Sequence, residues 1–231
     1  MRMIKLKSYV NGTTTRNRII EACKDLFCEK GYKKTTYSDI CESAQVNSGT
    51  ISHHFKSKKN LASLLYYKII ADFYKSSEEL FPHEDSLQQV MIAFGMHMKL
   101  LFKNSVYRRF SSEFLNEGIE FDELDKHREH TLKAHEVMQK RIGPQRTAFL
   151  SVALEGINRN MELYINKHID EFTYEQVYGY IARIYYHFVD SGELDVRIDK
   201  ALKSLALVNI SFDHFDVSVQ GSQRLDTAQH L

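Results

Sequence analysis

The sequence predicts an all-α protein, with a small three-helix domain at the amino end and a larger helical body behind it. Three observations predict this. The 231 residues include two prolines, Pro82 and Pro144, and ten glycines, too few turn-formers for a sandwich or a disordered chain. Apolar residues recur at three- and four-residue spacing along most of the chain. The segments so defined are bounded by residues that cap or break helices. Hydrophobic residues make up 43% and aromatics 12%, enough for a core, and no run of about 18 apolar residues is present to span a membrane.

The first helix is expected over 15–30, where Ile19, Ile20, Cys23, Leu26 and Phe27 form one stripe and Gly31 ends it. In "TTYSDICESAQ", Thr36 caps a second helix with Asp39 in the capping-box position, and Ile40, Cys41 and Ala44 face inward. Asn47 caps a third over 48–55, and Ser57 caps a fourth carrying Leu61, Leu64, Leu65 and Ile69. Three helices in about 45 residues, the last two joined by a tight turn, make a helix-turn-helix. The third presents little but small and polar groups. Ile51 and Phe55 anchor one face, leaving Ser48, Thr50, Ser52 and His53 on the other, with Gly49 allowing close backbone approach. Such a face enters a major groove without steric conflict and can bond base edges or phosphates. The plainer reading is a short core helix with a polar outer face.

Charge favours the first reading. Residues 1–60 hold twelve lysines and arginines against five acids, a balance of +7, while the remainder balances at −6. A basic end on a mildly acidic body suits a polyanionic partner, and equally, on charge alone, a solvated basic face; with the helix-turn-helix it points to the partner. The start, "MRMIKLKSYVNGTTTR", lacks the apolar core of a signal peptide, and the odd set Cys23, Cys28 and Cys41 has no C-x-x-C, so a reduced, cytoplasmic setting is expected.

Residues 16–65 resemble the TetR family of bacterial transcription regulators. The pattern is carried by Phe27, Gly31, Tyr32, Thr35, Thr36, Asp39, Ile40, Ala44, Val46, Gly49, Thr50, Ile51, His54, Phe55, Lys56, Ser57 and Lys58, all in register. Two positions depart from it: Gln45 stands where the family usually has Gly, and Ser52 where it usually has Tyr. By position, the resemblance puts Thr36 and Lys58 at helix starts that attract phosphate, with Lys56 and His54 beside the same strand. Thr50, Ser52 and His53, with Ser48 and Gly49, are the groove candidates, and Arg16 with Arg2, Lys5 and Lys7 can reach the backbone or minor groove.

The body is expected as helices over 58–80, 86–102, 105–117, 122–142, 145–168, 173–191 and 195–209, with breaks at Pro82, Asn104, Gly118, Gly143-Pro144, Asp170-Glu171 and Gly192. This divides the chain into a head (1–57), a body (58–209) and a tail (210–231). The resemblance implies that the body binds an effector and pairs two copies. Effector candidates are Met91, Phe94, His97, Met98, Tyr107, Phe110, Phe114, His127, Thr131 and Asn160, which suit a small apolar or aromatic ligand; for each, a place in the core is the plain alternative. Dimer-interface candidates are Phe149, Ala153, Gly156, Ile157, Tyr180 and Ile184. A homodimer on a two-fold axis would read a palindromic double-stranded DNA operator, its half-sites about 34–36 Å apart.

Glu123, His127 and His130 have the helical spacing of metal ligands, but among so many charges a solvated face is the better reading, and no metal or cofactor is expected. The tail alternates Ile210, Phe212, Phe215, Val217 and Val219, as a docked extended segment or a frayed end would. No phosphate-binding glycine loop, G-x-S-x-G or H-E-x-x-H occurs, so no catalytic residues and no enzyme are expected. The expected function is a ligand-responsive, DNA-binding repressor. The alternative is a ligand sensor that acts through a protein partner with little operator binding.

Overall fold

The first helix runs further back than its apolar stripe requires. In the computed structural model, which describes residues 2–117, 136–187 and 193–222, α1 spans Arg2–Glu29. The basic amino terminus is thus a continuation of the helix, with side chains described from Thr14 onward. Gly31 stops α1 at φ 87°, a left-handed conformation that favours glycine, and the Glu113 carboxylate lies 2.8 Å from the point a Cβ would occupy.

α2 (Tyr37–Ala44) opens with the expected capping box: the Thr36 hydroxyl accepts from the Asp39 N–H, and the Asp39 carboxylate accepts from the Thr36 N–H. α3 (Ser48–Phe55) is capped by Asn47, whose Oδ1 accepts the Thr50 N–H at 2.8 Å. α4 (Lys58–Leu80) is capped by Ser57 and links head to body.

The body is organised around α5 (Ser86–Lys103), buried on nearly every side. A helix apolar all round belongs at the centre of a helical layer rather than at its surface. Around it pack α4, α6 (Ser105–Asn116), α8 (Tyr174–Tyr186) and α9 (Leu194–Ala206). α7 (Pro144–Lys167) starts with Pro144 at its first turn and lies against α6; a 3-10 turn, Ile169–Glu171, follows it. Residues 136–142 are helical, in keeping with the end of the 122–142 segment, the rest of which lies largely outside the described residues.

Two strands follow α9 where the end of a helix and a tail were expected. β1 (Val208–Asp213) and β2 (Asp216–Gly221) form an antiparallel hairpin in which Ile210 faces Val219 and Phe212 faces Val217. The expected helix over 195–209 therefore stops at Ala206, and the boundary at 210 falls inside β1. The hairpin turn is His214-Phe215, both at positive φ (44° and 63°), a conformation usually left to Asn and Gly. Packing overrides that preference. Phe215 is fully buried, 4.5 Å from Phe110 of α6 and 6.3 Å from Phe27 of α1 by ring centroids. No helix among the described residues is long and apolar enough to cross a membrane.

Candidate functional site

α3 has two unlike faces. Ile51 and Phe55 are buried, while Ser48, Gly49, Ser52 and His53 are exposed and Thr50 and His54 are half-buried. The Thr50 hydroxyl lies 2.9 Å from Asn47 Oδ1, so it belongs to the cap as much as to the surface. Lys56 is exposed at φ 62°, and the Ser57 N–H bonds the Phe55 carbonyl at 2.6 Å across it, a strained γ-turn that holds the lysine outward. Thr36 is exposed beside the start of α2.

Two residues expected to meet a polyanion are turned inward. The Lys58 ammonium donates to the carbonyls of Tyr32 and Thr35, each at 2.9 Å, and lies 4.3 Å from the centre of the Tyr32 ring. The Arg16 guanidinium sits over Phe55 at 5.1 Å, pinning α3 to α1. Both hold the head together.

In the body, a cavity of about 70 Å³ lies between α4, α5, α6 and α7. Of the effector candidates, Phe94 and His97 line it. Met91, Met98, Tyr107, Phe110 and Phe114 are buried core residues outside its lining, and Asn160 is exposed, its amide donating to the Gly156 carbonyl. His127 and Thr131 lie outside the described residues, as does the Glu123, His127, His130 set. The lining adds groups that helical spacing had not singled out: Tyr66, Tyr67 and Tyr74 from α4, and Asn158, Arg159 and Glu162 from α7. A signal was present, because Asn158 and Glu162 interrupt the stripe that carries the buried Leu154 and Ile165.

Glu162 is buried and accepts from the Tyr66 hydroxyl at 2.9 Å and the Ser111 hydroxyl at 2.5 Å. His97 Nε2 lies 2.9 Å from the Tyr107 hydroxyl and 3.9 Å from Glu162. Burial pushes the His97 pKa down to about 3, so the ring is neutral and its approach to Glu162 is no salt bridge.

The outer faces of α7 and α8 leave large apolar side chains in solvent. Phe149 is 75% exposed and Tyr180 57%, and Val152, Tyr164 and Ile184 are exposed with them. Ala153 and Gly156 are exposed, Ile157 is half-buried, and nothing lies within 4 Å of a Cβ built on Gly156.

Residues 19–65 match the family described as bacterial regulatory proteins, tetR family. Over 47 residues the chain is 40% identical to the HTH-type transcriptional regulator UidR of Escherichia coli K12, covering 20% of this chain and 24% of UidR. Over 58 residues it is 34% identical to the HTH-type transcriptional repressor KstR2 of Mycolicibacterium smegmatis, covering 25% and 26%. Residues 19–65 thus form a TetR-family amino-terminal domain.

The chain spans about a quarter of the length of the curated relatives it matches. Over about four-fifths of the chain the likeness to solved structures is one of fold alone. Thermus thermophilus FadR, a TetR-family transcriptional repressor solved with lauroyl-CoA, superposes with a TM-score of 0.54 over 83% of this chain and 93% of its own, at 14% identity. RolR, solved with resorcinol, gives 0.50 over 82% and 95%, at 13%. Within the TetR-family domain, Gln45 takes the left-handed conformation that its position demands, at φ 52° and ψ 51°, and its N–H bonds back to the Cys41 and Glu42 carbonyls. The turn is kept without glycine. Ser52 stands exposed on α3 with a side chain much shorter than the family's tyrosine.

Proposed function

We propose that this TetR-family chain acts as a homodimeric repressor that binds a palindromic DNA operator through α3 and releases it when a small effector fills the body cavity. The carrying observation is α3 itself: a short helix anchored by buried Ile51 and Phe55, with Ser48, Gly49, Ser52 and His53 facing solvent. That edge is narrow enough for a major groove and rich in groups that bond base edges. Lys56, His54 and Thr36 flank it and meet phosphates, while Arg16 and Lys58 brace the head from within. The exposed apolar faces of α7 and α8 pair with their copies, because one helix-turn-helix reads one half-site. A ligand that prefers the conformer with misplaced recognition helices then lowers operator affinity by population shift alone. The three free thiols suit a reducing cytoplasm.

The deciding experiment is fluorescence anisotropy with DNA from upstream of the protein's own coding region, against unrelated DNA of equal length, over about 50–200 mM salt. Strong preference for the upstream fragment, with affinity falling steeply in salt, is expected. Equal binding to both fragments would sink the reading. It would favour the second one, in which the chain senses a ligand and acts through a protein partner. Ser52 motivates that alternative; Gln45 gives it little support, since the turn is intact.

A further inference from the structure

We infer that the ligand of the body cavity is a compact organic acid whose carboxylate is held by Arg159. The inference rests on the cavity being the effector site and adds the chemical class of its occupant. It follows from counting donors and acceptors on the wall. Glu162 is the acidic acceptor, and it already takes hydroxyl protons from Tyr66 and Ser111. The groups with donors to spare are Arg159, Tyr74 and Asn158. Arg159 gives its Nε proton to the Leu115 carbonyl at 2.7 Å, which fixes the side chain, and its two terminal nitrogens have no partner among the described residues. Tyr74 lines the same cavity, and its hydroxyl makes no hydrogen bond among the described residues; burial holds it as a neutral phenol, a donor at any physiological pH. The Asn158 carboxamide, on the turn of α7 beside Arg159, also has no hydrogen-bond partner among the described residues.

A guanidinium, a phenol and an amide lining one space suit a ligand that brings acceptor oxygens, and the guanidinium favours one with a negative charge. A carboxylate matches the planar fork of arginine. Ile70, Ala93, Phe94 and Leu115 give the wall an apolar stretch that takes a short hydrocarbon body. At about 70 Å³ the space is less than half the roughly 150 Å³ of an engineered cavity that holds benzene, so the acid is about the size of propionate rather than a long acyl chain.

The test is calorimetric titration of the full-length protein with propionate and with propionamide, its uncharged counterpart. Propionate binds at least tenfold more tightly than propionamide. Arg159→Gln abolishes that preference while melting within a few degrees of wild type, and Arg159→Lys restores part of it. Equal binding of the acid and the amide, no heat from millimolar propionate, or an unchanged preference in Arg159→Gln overturns the proposal. An operator-release assay separates this proposal from the reading beneath it. If propionate binds with its arginine dependence but leaves DNA bound, the acid site stands and ligand control fails. If propionamide frees the DNA as well as propionate does, ligand control stands and the acid site falls.

Discussion

Lys24 on the first helix and Asp216 on the last strand lie 192 positions apart in sequence, yet the lysine Nζ stands 2.8 Å from the aspartate carboxylate. Asp216 also takes Lys68 of α4 at 3.3 Å, so one hairpin residue ties α1 to α4. The neighbouring Phe215 closes the aromatic stack of Phe27, Phe110 and Phe212. The hairpin therefore fastens head to body. Phe215→Ala should lower stability by about 3–5 kcal/mol, as for other buried aromatic truncations. Asp216→Asn should cost much less, about 1 kcal/mol, because its carboxylate is largely exposed and Glu21 still pairs Lys24 at 3.1 Å. Urea denaturation measures both, and a loss under about 1 kcal/mol for Phe215→Ala would show that the hairpin merely rests on the surface.

Stability should be greatest between about pH 6.5 and 8.5, and the limits come from buried groups. On the alkaline side, burial pushes Cys23 up to about 12 and Cys28 to about 11, Tyr74 and Tyr174 to about 12, and Tyr107, Tyr178 and Tyr186 higher than an exposed phenol. These groups keep their protons in the folded state and lose them in the unfolded state from about pH 8.5 (thiols) and 10 (phenols), so stability is complete below those values and falls as pH rises above them. On the acid side, His97 stays neutral down to about 3, whereas the unfolded ring binds a proton below about 6.5. Its contribution is complete above 6.5 and falls away as pH drops. Urea midpoints across pH 4–11 should trace this plateau, and His97→Gln should flatten the acid limb. An acid limb unchanged in that variant would remove His97 as its cause.

Lys56 and Lys58, two residues apart, should behave in opposite ways. Lys56 is exposed at positive φ, so Lys56→Gly relieves backbone strain while removing the charge. It should leave the melting temperature equal or higher, weaken DNA binding, and reduce the slope of log affinity against log salt by about 0.9. Lys58→Ala strips the Tyr32 and Thr35 carbonyls of their donor and should lower stability by about 1–3 kcal/mol, with little change in the salt slope. A salt slope that responds to Lys58 and not to Lys56 would reverse the assignment.

The head was legible because its signals are local. Thr36, Asn47 and Ser57 each sit within three residues of the N–H they accept, and spacing alone exposes them. The body helices were legible for the same reason, their ends falling at Pro82, Asn104 and Gly143-Pro144. The hairpin was half legible. Ile210, Phe212, Val217 and Val219 alternate as strands do, but "DHFD" carries no turn signal, and Phe215 takes a turn position because distant rings receive it. The cavity was least legible. Tyr66 and Glu162 are 96 positions apart, and no periodicity within α4 or α7 announces that they bond. Inward aim also hid Lys58 and Arg16, which look like free cations until their carbonyl and ring partners are placed.

Phe149 on α7 and Tyr180 on α8 leave most of their surface in water, as Val152, Tyr164 and Ile184 on the same two helices leave much of theirs, and so much exposed apolar surface is costly for a monomer. Light scattering of the wild type should give twice the mass of the 27.0 kDa chain. Phe149→Glu combined with Tyr180→Glu should give the single mass, because each charge would otherwise be buried against its symmetry mate. Val196 is also exposed, but on α9, so Val196→Glu should leave the mass doubled. The monomeric variant should then lose roughly 10²-fold or more in affinity for a two-half-site operator while binding one half-site as before, since the second contact is no longer intramolecular. A wild type that scatters as a monomer, or a charged pair that stays dimeric, would place the subunit contact elsewhere and remove the geometric basis for reading a palindrome.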